Sequence, residues 1–158
     1  MKVRLRPLRE EDAHISIAWR NDPEVWTYTH AAGRAGPKVE DELAWIRRVN
    51  ADPTCRRFAI LADERYVGNV YLTDIANDDA EFHIFIGDKS VWRRGLAGEA
   101  TRQMLDYGWR ELGLRQVHLE VHRDNEAALR LYRTLGFAEE GANGPFIRMR
   151  IVAPPQSS

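Results

Sequence analysis

The stretch from Ala80 to about Leu112 restricts this chain more than any other. Ala80-Glu81-Phe82-His83-Ile84-Phe85-Ile86 reads as a buried strand, and Trp92-Arg93-Arg94-Gly95-Leu96-Ala97-Gly98-Glu99-Ala100 follows it into a helical pattern that runs to about Leu112. A long helix after a strand carries the chain back across a sheet. The next strand-like run, Gln116 to His122, is therefore expected parallel to 80–86. Small residues at 95, 97 and 98 leave backbone amides uncovered, and the helix that opens there turns its partly positive end to the same spot. With Arg93 and Arg94 alongside, the turn can seat a pyrophosphate. The same small residues also suit a plain tight connection, so the turn alone does not decide.

The flanking sequence supplies the rest of the sheet. Lys2 to Leu5 alternates as a first strand. Asp12 is placed to cap a helix with Ile15, Ala18 and Trp19 on one face, which Asn21-Asp22-Pro23 ends. Pro23 to Tyr28 suits a short second helix or turn, and residues 31–37, rich in Ala, Gly and Pro, suit a loop. Val39, Leu43, Ile46 and Val49 mark one face of a further helix. Then the period drops to two. Arg57–Ala62 and Tyr66–Thr73 are expected as strands joined at Asp63-Glu64-Arg65, and Asn77-Asp78-Asp79 turns the chain into the strand at 80, giving an antiparallel meander. On the helix from Ala97, the expected buried stripe is Ala97, Ala100, Thr101, Met104, Gly108 and Leu112. Asp124 is placed to cap a last helix with Ala128, Leu131, Tyr132 and Leu135 inward and Gly136 as its left-handed stop. Phe137–Glu139 and Phe146–Ile151 close the chain as a hairpin. This order predicts an α/β fold of the mixed, α+β kind: one domain over residues 1–152, with a disordered tail at 153–158.

Composition excludes several classes. Lys plus Arg number 23 and Asp plus Glu 24, a formal net charge of −1, so no basic excess points to nucleic acid. No apolar run is long enough to span a membrane, and Met1-Lys2-Val3-Arg4-Leu5-Arg6 lacks the apolar core of a secretion signal, which predicts a cytoplasmic protein. The single cysteine, Cys55, excludes an internal disulfide, and no His/Asp/Glu spacing suggests a metal site.

Asn125 and Tyr132 stand seven apart, nearly two helical turns, and so share a face of the helix that follows the strand beside the phosphate turn. A capping role for Asn125 and a packed ring for Tyr132 explain the same spacing. At this point the chain resembles the GNAT superfamily of acyl-CoA-dependent N-acetyltransferases. Its cofactor signature, Gln/Arg-x-x-Gly-x-Gly/Ala, is matched at Gly95 and Ala97, with Trp92 in the first place. Its second signature corresponds to Asn125, Tyr132 and Gly136-Phe137, and Trp19-Arg20-Asn21-Asp22-Pro23 is similar to the branch with ribosomal-protein N-terminal, spermidine and amino-sugar acetyltransferases.

The resemblance implies a GNAT-like fold in which strands 80–86 and 116–122 splay apart around acetyl-CoA. The pantetheine arm would pair with backbone near Ile84 and Ile86, a bulge near Phe85 would hold the thioester oxygen, and the amides of Arg93, Arg94, Gly95, Leu96, Ala97 and Gly98, with Asn125 nearby, would bind the cofactor. Tyr132 would protonate the departing thiolate. Glu81 or His83, on one face of their strand, would take the ammonium proton, with His118 and Glu120 on the neighbouring strand equally ambiguous. Trp26, Tyr28 and His30 are candidates for an acceptor site. The expected acceptor is a small primary amine, by preference a nucleotide-linked amino sugar, with protein N-termini and polyamines as alternatives; a homodimer is left open. Two rivals remain. A nucleotide-binding oxidoreductase would use Gly95-Leu96-Ala97-Gly98 and Glu120, although the hairpins before that loop do not suit a dinucleotide fold. A non-catalytic acyl-CoA-binding or scaffold protein would keep the fold without the chemistry.

Overall fold

A computed structural model describes residues 1–26 and 38–155. Tyr28, His30, the loop at 31–37 and the tail from 156 to 158 lie outside the described residues. Seven strands form one sheet: β1 Val3–Pro7, β2 Arg56–Ala62, β3 Arg65–Ala76, β4 Asp79–Ile86, β5 Gln116–His122, β6 Ala138–Asn143 and β7 Phe146–Val152. Their order across it is β1-β2-β3-β4-β5-β7-β6. Four α-helices flank the sheet: α1 Ala13–Arg20, α2 Val39–Asn50, α3 Leu96–Glu111 and α4 Glu126–Leu135. Glu10–Asp12, Pro23–Trp26 and Lys89–Val91 are 3-10 turns, the second of them where a short helix or turn is expected.

The meander is built by two-residue turns. Asp63 and Glu64 have φ of 48° and 68°, and Asn77 and Asp78 have 53° and 66°. Positive φ at both central positions matches the twist of paired strands, and Asp and Asn tolerate it better than most residues. Arg65 and Asp79 consequently belong to strands, not to the three-residue turns the sequence suggested. Helix α3 then makes the one parallel connection among the described residues, from β4 to β5.

Each face of the sheet carries its own core. On one, Val70, Leu72, Ala80, Phe82, Val117, Leu119 and Val121 meet Leu96, Met104 and Trp109 of α3 and Leu129 and Tyr132 of α4. On the other, Ala59, Leu61, Tyr66 and Phe85 meet Ala13 and Trp19 of α1 and Ile46 of α2. Several expected faces are rotated. Helix α1 buries Ala13, Ser16 and Trp19, and Ile15 is 49% exposed. Ser16 turns inward because its hydroxyl donates to buried Glu42 at 3.1 Å. In α3 the expected stripe holds at Ala100, Thr101, Met104 and Gly108, and Leu96, Gly98, Leu105 and Trp109 are buried with it, while Ala97 and Leu112 are only partly so. In α4 the buried pair is Leu129 and Tyr132, with Ala128, Leu131 and Leu135 at the margin.

Two expected caps are also corrected. The Asp12 carboxylate does not cap α1; it accepts a bidentate pair from Arg6 at 2.7 and 2.8 Å. Asn125, not Asp124, is the N-cap of α4, its Oδ1 accepting from the Ala128 amide at 3.3 Å. At the far end, Ala153 donates to the Arg115 carbonyl at 2.8 Å and packs on the core, so order extends past 152.

Candidate active site

The sheet parts where its β4–β5 pair, the parallel one among the described residues, begins. Every antiparallel neighbour shares at least five register pairs, but β4 and β5 share one, Glu81 with His118. Beyond it the strands diverge, and the β4 edge from Phe82 to Ile86 has no β5 partner. This is the fork expected from the sequence. The bulge expected near Phe85 is absent: β3 and β4 stay in register from Gly68 with Ile86 to Thr73 with Glu81. The irregularity sits just outside the strand instead, where the Gly87 and Asp88 amides share the Val67 carbonyl at 2.9 and 3.0 Å.

The loop at the mouth of the fork is shaped for an anion. Arg93 and Gly95 have φ of 66° and 76°. A non-glycine residue in that region is strained, a feature often retained at binding turns. Nothing lies within 4 Å of where a Cβ on Gly95 would stand. The Glu99 amide reaches the Gly95 carbonyl at 3.3 Å, so the amides of Leu96, Ala97 and Gly98 ahead of it have no acceptor inside the helix. Arg93 and Arg94 are exposed beside them. Open amides, a helix N-terminus and an uncovered glycine together fit a pyrophosphate. Gly98 has a second purpose: a Cβ there would come 3.1 Å from Leu131 Cδ1, so its smallness also lets α3 approach α4. Trp92, the departure from the signature, is a strut. Its indole N–H donates to the Ile86 carbonyl at 2.8 Å and so occupies one of that carbonyl's two lone pairs at the end of β4.

Tyr132 and Glu81 stand on opposite faces of this fork. The Tyr132 ring meets Phe82 at 6.3 Å and Phe137 at 5.5 Å, both edge to face. Its hydroxyl takes no hydrogen-bond partner among the described residues. Burial pushes its pKa well above the ordinary tyrosine value, so the phenol stays protonated. Asn125 caps the same helix, a role that needs no ligand.

Across the sheet, Glu81 Oε1 lies 3.4 Å from His83 Nε2 and Glu81 Oε2 lies 3.7 Å from His118 Nε2. Burial raises the Glu81 pKa, helped by Glu120 and Asp74 and opposed by His118 and Arg148. His83 sits 3.0 Å from the Thr73 hydroxyl and is stacked on Tyr71 at 5.0 Å. Planar groups continue from there towards α1. Arg57 lies over Tyr71 at 4.1 Å and Trp45 at 5.0 Å, and Arg20 over Trp45 at 4.4 Å and Trp26 at 4.9 Å. Trp26, an acceptor-site candidate, is held there by its indole N–H on the Trp19 carbonyl at 2.9 Å. The Trp92 strut and the Arg57 layer were not foreseen, since neither lies in a recognisable spacing. The Asp79–His118 contact described below was hidden for the same reason.

Comparison with known proteins bears on the family and the fold. A family model described as an acetyltransferase (GNAT) domain matches residues 2–138. A spermidine N(1)-acetyltransferase of Escherichia coli (strain K12) is 33% identical over 141 residues, 88% of this chain and 74% of that protein. An uncharacterized N-acetyltransferase, p20 of Bacillus licheniformis, is 27% identical over 145 residues, 89% of this chain and 81% of that protein. Among solved structures, a spermidine N-acetyltransferase from Vibrio cholerae in complex with CoA and spermine superposes with a TM-score of 0.84 at 26% identity, covering 95% of each chain. Where these relatives name an acceptor it is a polyamine, and the amino sugar preferred from the sequence has no counterpart among them. No helix among the described residues is long and apolar enough to cross a membrane.

Proposed function

This chain belongs to the GNAT acetyltransferase family, and from that premise we propose that it acetylates a primary amine of a flexible polyamine of the spermidine kind. The enzyme is an N-acetyltransferase and its acyl donor is acetyl-CoA. The polyamine replaces the amino-sugar acceptor, and it is supported by the 33% identity to a spermidine acetyltransferase. One observation carries the assignment of roles: the fork has a protonated phenol on one face and a carboxylate of raised pKa on the other.

The chain's own groups divide the work. Amides of Leu96, Ala97 and Gly98 and the guanidinium groups of Arg93 and Arg94 bind pyrophosphate. The unpaired β4 edge at Ile84 and Phe85 orients the arm that ends in the thioester, which supplies an activated acetyl group when acetyl-CoA is bound. Glu81 takes a proton from the ammonium, so that a neutral amine attacks the acetyl carbon. Tyr132 gives its proton to the sulfur as the carbon–sulfur bond breaks, and the second proton that the attacking nitrogen sheds as it becomes an amide returns the phenolate to the phenol. The Tyr132 hydroxyl and Glu81 lie on opposite sides of the sheet, so donor and acceptor enter from opposite faces and no acyl-enzyme is needed.

A thiol-release assay with acetyl-CoA tests this against spermidine, spermine, a peptide N-terminus and an amino sugar. Release is expected with the polyamines at a kcat/KM at least about tenfold above the others, a difference of about 1.4 kcal/mol. Preference for the peptide or sugar overturns the acceptor, and no release with any amine, despite CoA binding, favours a binding protein.

A further inference from the structure

We propose that His118, anchored by Asp79, is the positioning residue that receives from Glu81 the proton taken from the acceptor ammonium. This deepens the proposed function and rests on it. Asp79 is fixed at three points. Its Oδ1 accepts from the Ala80 amide at 2.8 Å and lies 3.0 Å from His118 Nδ1, and its Oδ2 accepts from Arg150 Nη1 at 3.1 Å. An ionised carboxylate can only accept, so the hydrogen at that contact belongs to Nδ1. The neutral ring then carries its lone pair on Nε2, the nitrogen that lies 3.7 Å from Glu81 Oε2. Closing that gap to a hydrogen bond of about 2.8 Å takes about 1 Å of movement, which small side-chain rotations supply. Asp79 is ionised in this setting: burial opposes its charge, but the bonds from His118 and Arg150 outweigh burial and hold its pKa below the ordinary value.

Position in the fold makes the contact more than incidental. Glu81 and His118 are the one register pair of the diverging strands, so the two side chains sit side by side at the floor of the fork. The proton balance is simple. The ammonium N–H breaks and a Glu81 O–H forms, leaving a neutral amine. That O–H breaks as His118 Nε2–H forms, Glu81 regains its charge, and the imidazolium lies against the Asp79 carboxylate. Water then takes the proton from the ring, which is 14% exposed. The other charged groups facing this pair are Asp74 of β3, His83 of β4, Glu120 of β5, Arg148 and Arg150 of β7, and Glu140 of β6, which accepts from Arg150.

The test is the pH profile of kcat at saturating acetyl-CoA and amine, for wild type, His118→Gln and Asp79→Asn. With His118 replaced, Glu81 loses both its proton acceptor and, whenever the ring carries the proton, a positive charge that favours its own ionised form. The acidic limb should move to higher pH by about one unit, as losing a neighbouring counter-charge does. kcat at the optimum should fall about 10- to 100-fold, at or below the low end of what a proton-transfer step contributes, with the KM for acetyl-CoA within about twofold of wild type. Asp79→Asn should shift the limb in the same direction, and the double variant should lose no more than His118→Gln, because the pair acts as a unit. An acidic limb that stays in place in both variants overturns the proposal, whatever happens to kcat. A His118→Gln protein that does not fold leaves the decision to Asp79→Asn, which retains the imidazole. Wild-type protein that releases no thiol with any amine removes the acetyl-transfer reading itself, and that outcome needs no variant to be recognised.

Discussion

The two groups proposed to handle protons at the fork differ in what burial does for them. Burial raises both pKa values, which keeps Tyr132 an acid and makes Glu81 a stronger base. Replacing Tyr132 with Phe removes one oxygen from a ring that is otherwise held by Phe82 and Phe137, so packing should survive. Tyr132→Phe is expected to lower kcat by about 10²–10⁴-fold with little change in CoA affinity, measured by steady-state kinetics and by titration with CoA. Unchanged kcat would take the phenol out of the reaction. For Glu81 the sign is fixed by its role. A base works only when ionised, so activity is lost as pH falls through its raised pKa, and the acidic limb of kcat should lie above the ordinary glutamate value of 4.5. Glu81→Gln should abolish that limb together with most of the turnover. A limb that persists in Glu81→Gln points to His83, whose Nε2 is 3.4 Å away.

At the level of elements, close approaches fix α1 and β3 against the β4 side of the fork. A Cβ on Gly87 would overlap the indole of Trp19, and one on Gly68 would overlap the Phe85 carbonyl. Trp19 cannot yield easily, because Tyr66 lies 4.7 Å and Phe85 6.1 Å from its ring. Gly87→Ala should therefore cost about 1–3 kcal/mol by overpacking. A melting curve should show it as a fall of about 3–10 °C, and a fall under 1 °C would mean that α1 moves freely over the sheet. The elements themselves were largely legible in the sequence. The meander was readable because its turns are built from Asp, Glu and Asn between runs of period two. The parallel return through α3 was readable because a long helix separates two strands. Helix faces were less legible. Ile15 and Ala18 have the right spacing for a core, yet Ser16 is the buried residue, because Glu42 arrives from another helix to satisfy it. Asp12 was misread as a cap for a related reason: Arg6, on a strand, claims the carboxylate. Such long-range polar pairs leave no local period to read.

The molecule as a whole puts two cores on one sheet and leaves the sheet open between β4 and β5. The α3–α4 core carries the phenol and the α1–α2 core lies under the acceptor face, so a cofactor in the fork would touch residues anchored in both. A ligand with that reach should stabilise the fold as a unit. The candidate pyrophosphate loop was legible from Gly95 and Ala97, whereas the stack of planar groups across the sheet was not, since Arg20, Trp45, Arg57 and Tyr71 come from four different elements. The same geometry separates this enzyme from a nucleotide-binding oxidoreductase. A dinucleotide site needs several parallel strands around its glycine loop, and this sheet has one parallel pair with a single register contact. CoA at about a thousand times its dissociation constant should add about 4 kcal/mol to stability, a rise of about 8–16 °C in melting temperature for a chain of this size. NADH at the same concentration shares the pyrophosphate but lacks an arm to fill the fork, and should raise it by no more than about 2 °C. Equal shifts from the two ligands would mean that the loop alone binds and that the parted strands contribute nothing. A larger shift from NADH would restore the oxidoreductase reading.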